Sequence, residues 1–146
     1  MAGNGTITAA NAIFMLGITS LYPVPQQLQG FSAEDVFDTE SVEPAEVQMG
    51  VDGHLAAGFK YVPIKQNITL MADSASNDIF ENWYRSQRAQ KDLYVANGSV
   101  VLPAVGKAYT MTRGILTAYN PIPDVKALLQ ARKFTITWES VSPAAI

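Results

Sequence analysis

The feature that most constrains the fold is an alternation of apolar and polar residues that recurs along the chain. Between residues 133 and 141, Phe134, Ile136 and Trp138 occupy every second position, and polar residues stand between them. Because successive side chains of a β-strand point to opposite faces, this period predicts a strand with one face against a core. The same period predicts three further strands, at residues 55–62, 64–72 and 107–119.

An apolar stretch at residues 12–24 is interpreted as another core strand. It is not expected to be a signal peptide or a membrane span, because no Lys or Arg precedes it and Pro23 and Pro25 interrupt it. We therefore expect no membrane insertion by this chain.

Two dipeptides that contain glycine predict tight turns between strands. Asp52-Gly53 and Asn97-Gly98 each lie between short stretches of strand-forming residues. Both dipeptides tolerate the positive φ angles that two-residue hairpin loops require. The sequence therefore predicts a hairpin at each position, and Pro103 predicts the end of the second one.

One segment has the pattern of a helix. Residues 73–78 are rich in residues that cap helix N-termini, and Asp78 with Glu81 has the spacing of a capping box. We expect one helix of about fifteen residues packed on a sheet. Its apolar side is predicted to consist of Ile79, Phe80, Trp83 and Tyr84. The fold class is thus mainly β with one flanking α-helix.

Charge is distributed unevenly along the chain. Residues 1–59 contain no Lys or Arg and seven of the 13 acidic residues, whereas all ten basic residues follow residue 59. Residues 23–46 combine prolines with an acidic cluster, which predicts a long acidic loop. One interpretation is a solvated loop; the other is that copies of the chain meet acidic face to basic face. Few clustered bases argue against tight nucleic-acid binding.

The residues that usually carry catalysis or bind metals are scarce. The chain has no cysteine, and its one histidine, His54, follows a turn, where a surface position is expected. Glycine-rich phosphate-binding motifs are absent, and the acidic cluster lacks the spacing of a calcium-binding loop. We expect no catalytic residue, no metal site and no cofactor, and hence a structural protein rather than an enzyme.

Four segments in a fixed order resemble the pattern of bacteriophage tail tube proteins. In that family a strand of the form x-I-T-L runs into a Ser/Asn-rich cap and a helix that carries aromatic residues. The resemblance covers residues 46–141, and residues 1–45 have no match in it. The segments are 49–53 (MGVDG), 68–80 (ITLMADSASNDIF), 111–114 (MTRG) and 132–138 (RKFTITW).

The resemblance implies a single tail tube domain over residues 1–146, folded as a β-sandwich or barrel-like subunit. Copies of it would form a hexameric ring with a continuous inner β-barrel, and stacked rings would form the tube through which DNA leaves the virion. The implied partners are other copies of the chain, the tape measure, baseplate and terminator proteins, and a sheath if the tail is contractile. The implied location is the virion tail, after assembly in the host cytoplasm.

For the contact between copies, we hypothesise that the acidic loop docks on basic residues of a neighbour. The alternatives within the same class are a ring protein like that of type VI secretion and a tail terminator or connector subunit. A small monomeric β-barrel binding module is the alternative from another class. The residues assigned to self-association are Glu34, Asp35, Asp38, Glu40 and Glu43 on the acidic side and Arg85, Arg88 and Arg132 on the basic side.

Overall fold

A computed structural model describes residues 12–29, 37–103, 105–122, 125–126 and 128–145 of the chain. Among these residues the chain forms nine strands and one helix. In chain order the elements are β1 (Ile13–Ile18), β2 (Tyr22–Gln27), β3 (Phe37–Thr39), β4 (Ala45–Met49), β5 (Leu55–Phe59), β6 (Ile64–Leu70), α1 (Asn77–Gln90), β7 (Ala96–Leu102), β8 (Lys107–Tyr119) and β9 (Arg132–Ala145).

Seven of these strands form one sheet in the order β2-β1-β7-β8-β9-β6-β3, in which every pairing is antiparallel. The remaining two strands, β4 and β5, pair only with each other. The two longest strands, β8 and β9, lie side by side near the middle of the large sheet. The predicted class, mainly β with one helix, is confirmed.

The large sheet curls until its two ends approach each other. Phe14 on β1 meets Phe37 on the opposite edge strand β3 edge to face, with their ring centroids 5.3 Å apart. Helix α1 lies against the inside of the curl, where Phe80 stacks on Phe134 with centroids 4.2 Å apart. The Trp83 indole N–H is buried there and donates to the Tyr94 carbonyl at 3.0 Å. The result is a barrel-like subunit with an aromatic core.

Helix α1 begins differently from the prediction. Its apolar side is confirmed, since Ile79, Phe80 and Trp83 are buried. The predicted capping box at Asp78 is wrong, because the N-cap is Ser76, two residues earlier, and Ser76 makes no side-chain capping bond. The Ser76 hydroxyl accepts instead from the Gln29 N–H at 2.8 Å, which ties the helix start to the end of β2.

The N-terminal apolar stretch is a hairpin rather than one strand. The chain turns between Ile18 on β1 and Tyr22 on β2, with Ser20 at a left-handed φ of 70°. Strand β2 therefore folds back along β1, and the predicted single core strand is wrong. The predicted long loop at 23–46 is interrupted by secondary structure, since this range contains most of β2, all of β3 and the first two residues of β4.

The two predicted hairpins have different outcomes. The Asp52-Gly53 hairpin is confirmed, although its loop spans residues 50–54 rather than two residues, with Gly53 at φ 84°. The Asn97-Gly98 hairpin is wrong, because both residues lie inside β7, between β1 and β8. A Cβ on Gly98 would stand 3.1 Å from the Met15 carbonyl oxygen, so the close packing of the sheet favours glycine there.

Candidate assembly surface

Strands β4 and β5 form a ribbon that extends the long hairpin begun by β3 and β6; we call residues 45–59 the ribbon. At the base, the Glu40 N–H donates to the Lys65 carbonyl at 2.9 Å, and the Lys60 N–H donates to the Pro44 carbonyl at 2.9 Å. Every residue of β4 and β5 is exposed. The ribbon therefore projects from the large sheet and contributes nothing to its core.

The two faces of the ribbon differ in chemistry. The cross-strand pairs on one face are all apolar, and those on the other face are polar or small. On the apolar face the exposed fractions are 60% for Val47, 62% for Met49, 55% for Leu55 and 72% for Phe59. The apolar pairs are Ala45 with Phe59, Val47 with Ala57, and Met49 with Leu55; the other pairs are Glu46 with Gly58 and Gln48 with Ala56.

Such a face is unusual for an isolated subunit. A lone two-stranded ribbon is marginally stable in water, and a contiguous exposed apolar patch marks an interaction site. Phe59 extends the patch toward Tyr61, whose ring it meets edge to face at 5.0 Å and which is 93% exposed. The ribbon is thus the strongest candidate interface in the described part of the chain.

Three of the five acidic residues assigned to self-association, Asp38, Glu40 and Glu43, lie near the base of the ribbon. Asp38 on β3 accepts a hydrogen bond of 3.0 Å from the Asn67 side chain. Glu40 and Glu43 are exposed in the segment that joins β3 to β4. Glu34 and Asp35 lie outside the residues that the structure describes.

The basic residues assigned to self-association separate into two kinds. Arg85 and Arg88 are exposed on α1, where Arg85 also donates to the Asn82 side chain. The Arg132 side chain is only 4% exposed and donates to Glu81 at 2.7 Å and to the Asn120 carbonyl at 2.9 Å. Arg132 therefore lies inside its own subunit, and only Arg85 and Arg88 face solvent.

The surroundings of Arg132 keep its guanidinium charged. Burial by itself lowers the pKa of Arg132, but hydrogen bonds to Glu81 and Tyr119 outweigh burial, so the pKa stands above its ordinary value. The guanidinium also lies over the Tyr119 and Phe134 rings, 5.6 and 5.4 Å from their centroids. This cation joins the helix to the sheet.

A groove lies at the C-terminal end of α1, and sequence reasoning did not find it. Its volume is about 480 Å³, and it combines apolar side chains with two cations. Leu93 in the groove is 57% exposed, and Tyr84 stacks on Tyr119 with centroids 4.7 Å apart. The residues that line it are Tyr84, Gln87, Arg88, Lys91, Asp92 and Leu93.

Within the described ranges, no group of three or more His, Cys, Asp or Glu residues is arranged to hold a metal ion. No helix in the same part of the chain has the length and apolar character needed to cross a membrane.

The fold resembles β-rich components of contractile injection systems. A cap structure of the anti-feeding prophage, described as a tube terminating cap, aligns over 100% of both chains with a TM-score of 0.64 at 13% identity. A chain of the anti-feeding prophage baseplate, described as 6-fold symmetrised, aligns with a TM-score of 0.59 at 11% identity over 92% of each chain. A chain of an extracellular contractile injection system, in a PVC sheath-tube complex, aligns with a TM-score of 0.58 at 12% identity. The alignment covers 91% of this chain and 88% of the other.

The family described as tail fiber protein gp32 matches residues 5–142, and the chain belongs to that family. No curated protein matches the chain. The family and the fold together support a tail-associated structural role, and the phage tail tube-like fold indicated by the sequence is confirmed.

Proposed function

We propose that this chain is a tail tube subunit that assembles with copies of itself through the ribbon. In this proposal residues 1–146 form one domain, copies close into hexameric rings, and the rings stack into the tube through which DNA leaves the virion. The observation that carries the proposal is the exposed apolar face of the ribbon, on which Val47 and Phe59 are 60% and 72% exposed.

The size of this face suits a protein interface. Its six side chains, which include one large aromatic ring, present on the order of 500 Å² of apolar surface. A stable interface buries about 800 Å² on each partner. The ribbon therefore supplies more than half of one side of such an interface, and neighbouring polar residues complete the rim.

The position of the ribbon favours ring closure and stacking. It projects from the large sheet, and in this proposal it packs on a different surface of the neighbouring copy; such heterologous contacts form either closed rings or open filaments. One chain of similar fold comes from a baseplate structure described as 6-fold symmetrised, which is the symmetry proposed here. The proposed partners are other copies, the tape measure, baseplate and terminator proteins, and a sheath if the tail is contractile.

Sedimentation and negative-stain microscopy of the purified chain test the proposal. The wild type is expected to form tubes, and the double variant Val47→Ser with Phe59→Ser is expected to stay a folded monomer. The matched control is Gln48→Ser with Ala56→Ser, which changes the opposite face of the ribbon and should leave tubes intact. Discrete rings that never stack would favour a terminator or secretion-type ring, and a wild-type monomer at every concentration would favour the binding-module alternative.

A further inference from the structure

We infer that the apolar face of the ribbon in one copy packs into the groove at the C-terminal end of helix α1 in a second copy. This inference rests on the proposed function and adds the surface that receives the ribbon. It assigns a role to Tyr84, Arg88, Lys91 and Leu93, four residues that line the groove.

The groove offers the ribbon an apolar contact. Leu93 exposes 57% of its surface, and Tyr84 is held in place by stacking on Tyr119. The groove is shallow and open to solvent, so the apolar face of the ribbon can lie across it. An exposed Leu beside a fixed aromatic ring is the kind of surface that an apolar ribbon face covers well.

The charges at the two surfaces are complementary. Arg88 and Lys91 stand at the groove with one carboxylate, Asp92, which accepts a hydrogen bond of 2.8 Å from the Leu93 N–H, so the groove has one more cation than anion. The segment that carries the ribbon has acidic residues and no Lys or Arg between residues 37 and 59. Its acids are Asp38, Glu40, Glu43, Glu46 and Asp52. Complementary charge at the rim sets the orientation of the partners and the rate at which they meet.

The acids differ in their position relative to the apolar face. Glu43 is exposed two residues before Ala45, at the base end of that face. Glu46 lies on the opposite face, where it pairs across the ribbon with Gly58. If the apolar face enters the groove, Glu43 stands at the rim beside the cations and Glu46 points away from them. These two acids therefore form a matched pair for a test.

Charge reversal tests the orientation. Glu43→Lys and Arg88→Glu are each expected to weaken association by about tenfold, and the two changes together are expected to restore it. The controls are Glu46→Lys, on the polar face of the ribbon, and Lys133→Glu, an exposed base on β9. Each should change association by less than about threefold. Association constants from sedimentation at fixed ionic strength give the comparison.

Cross-linking tests the contact directly, because the chain has no cysteine of its own. A copy with Met49→Cys mixed with a copy with Leu93→Cys should form a disulfide-linked dimer under mild oxidation. Met49→Cys mixed with Thr117→Cys, at an exposed position of β8, is the control and should give little dimer.

The outcomes separate the two proposals. If the wild type assembles but Leu93→Cys cross-links no better than Thr117→Cys, the groove is not the receiving surface and the tube function still stands. The same holds if Glu43→Lys and Glu46→Lys weaken association equally. A wild-type chain that stays monomeric overturns both proposals.

Discussion

The guanidinium of Arg132 on strand β9 donates a 2.7 Å hydrogen bond to the carboxylate of Glu81 on helix α1. Glu81 is half-exposed, while the Arg132 side chain is almost fully buried. The Arg132 Nε atom has no hydrogen-bond partner in the described residues, so the cation depends on the partners of its two terminal nitrogens. Removing one partner of a buried charge costs more than the bond itself, because the charge stays behind.

Glu81→Gln is expected to lower the free energy of unfolding by about 1–2 kcal/mol. This is less than the cost of breaking a fully buried ion pair, because Glu81 is half-exposed. Urea unfolding at pH 7 measures this, with the exposed Glu139→Gln as the control, which should cost less than about 0.5 kcal/mol. Because the pKa of Arg132 is raised, its contribution persists below its ordinary pKa and is lost only as the pH rises through the folded-state value. The difference should therefore still be present at about pH 10; its disappearance there would contradict the assignment.

Gly114→Ala is expected to destabilise the fold strongly. A Cβ at Gly114 would stand 2.5 Å from Cε3 of Trp138 and 2.9 Å from Cγ2 of Ile136, both buried side chains in the core. Overpacking of this kind costs about 1–3 kcal/mol. The control is Gly58→Ala on the ribbon, where a Cβ meets nothing within 4 Å. Thermal unfolding should show a lower Tm for the first variant only, and equal melting temperatures would contradict the packing described here.

Asn77→Asp is expected to make stability depend on pH. The buried Asn77 Nδ2 group donates to the Met71 carbonyl at 2.9 Å and to the Ala72 carbonyl at 3.2 Å. A carboxylate there would face carbonyl oxygens, which raises its folded-state pKa above the unfolded value of about 3.9. The variant should therefore lose stability as the pH rises from about 4 to 7, by roughly 2 kcal/mol. Gln48→Glu on the exposed ribbon is the control, and an equal pH dependence in it would refute this expectation.

Amide hydrogen exchange is expected to distinguish the ribbon from the sheet. In the monomer, the amides of residues 45–59 should exchange far faster than those of β8 and β9, because no buried side chain supports the ribbon. In assembled tubes the same amides should become protected. Mass spectrometry of peptides from both states measures this, and ribbon protection that is unchanged by assembly would count against the ribbon as an interface.

Local periodicity carried most of the correct sequence predictions. The alternation at residues 107–119 predicted β8 at both of its ends, and the apolar side of α1 was predicted from Ile79, Phe80 and Trp83. These features depend on neighbours within a few residues, so one sequence is sufficient to find them. The class of the fold followed from the same signal.

Features set by distant residues were not predictable in the same way. At Gly98 the close approach of Met15 and Trp138 favours glycine, whereas the sequence alone offered a turn as the simpler interpretation. Arg132 was assigned to an interface because the sequence does not show its pairing with Glu81, which lies 51 residues away in the chain. The strand predicted at residues 55–62 is present over Leu55–Phe59, but alternation does not distinguish a face that meets a core from one that meets water.

The core of the subunit takes no side chain from residues 45–59. Folding of one molecule therefore leaves the apolar face of the ribbon hydrated. The free energy of removing that face from water is not released when the subunit folds. That free energy is released only when another surface covers the ribbon, so folding and association are physically separate steps for this chain.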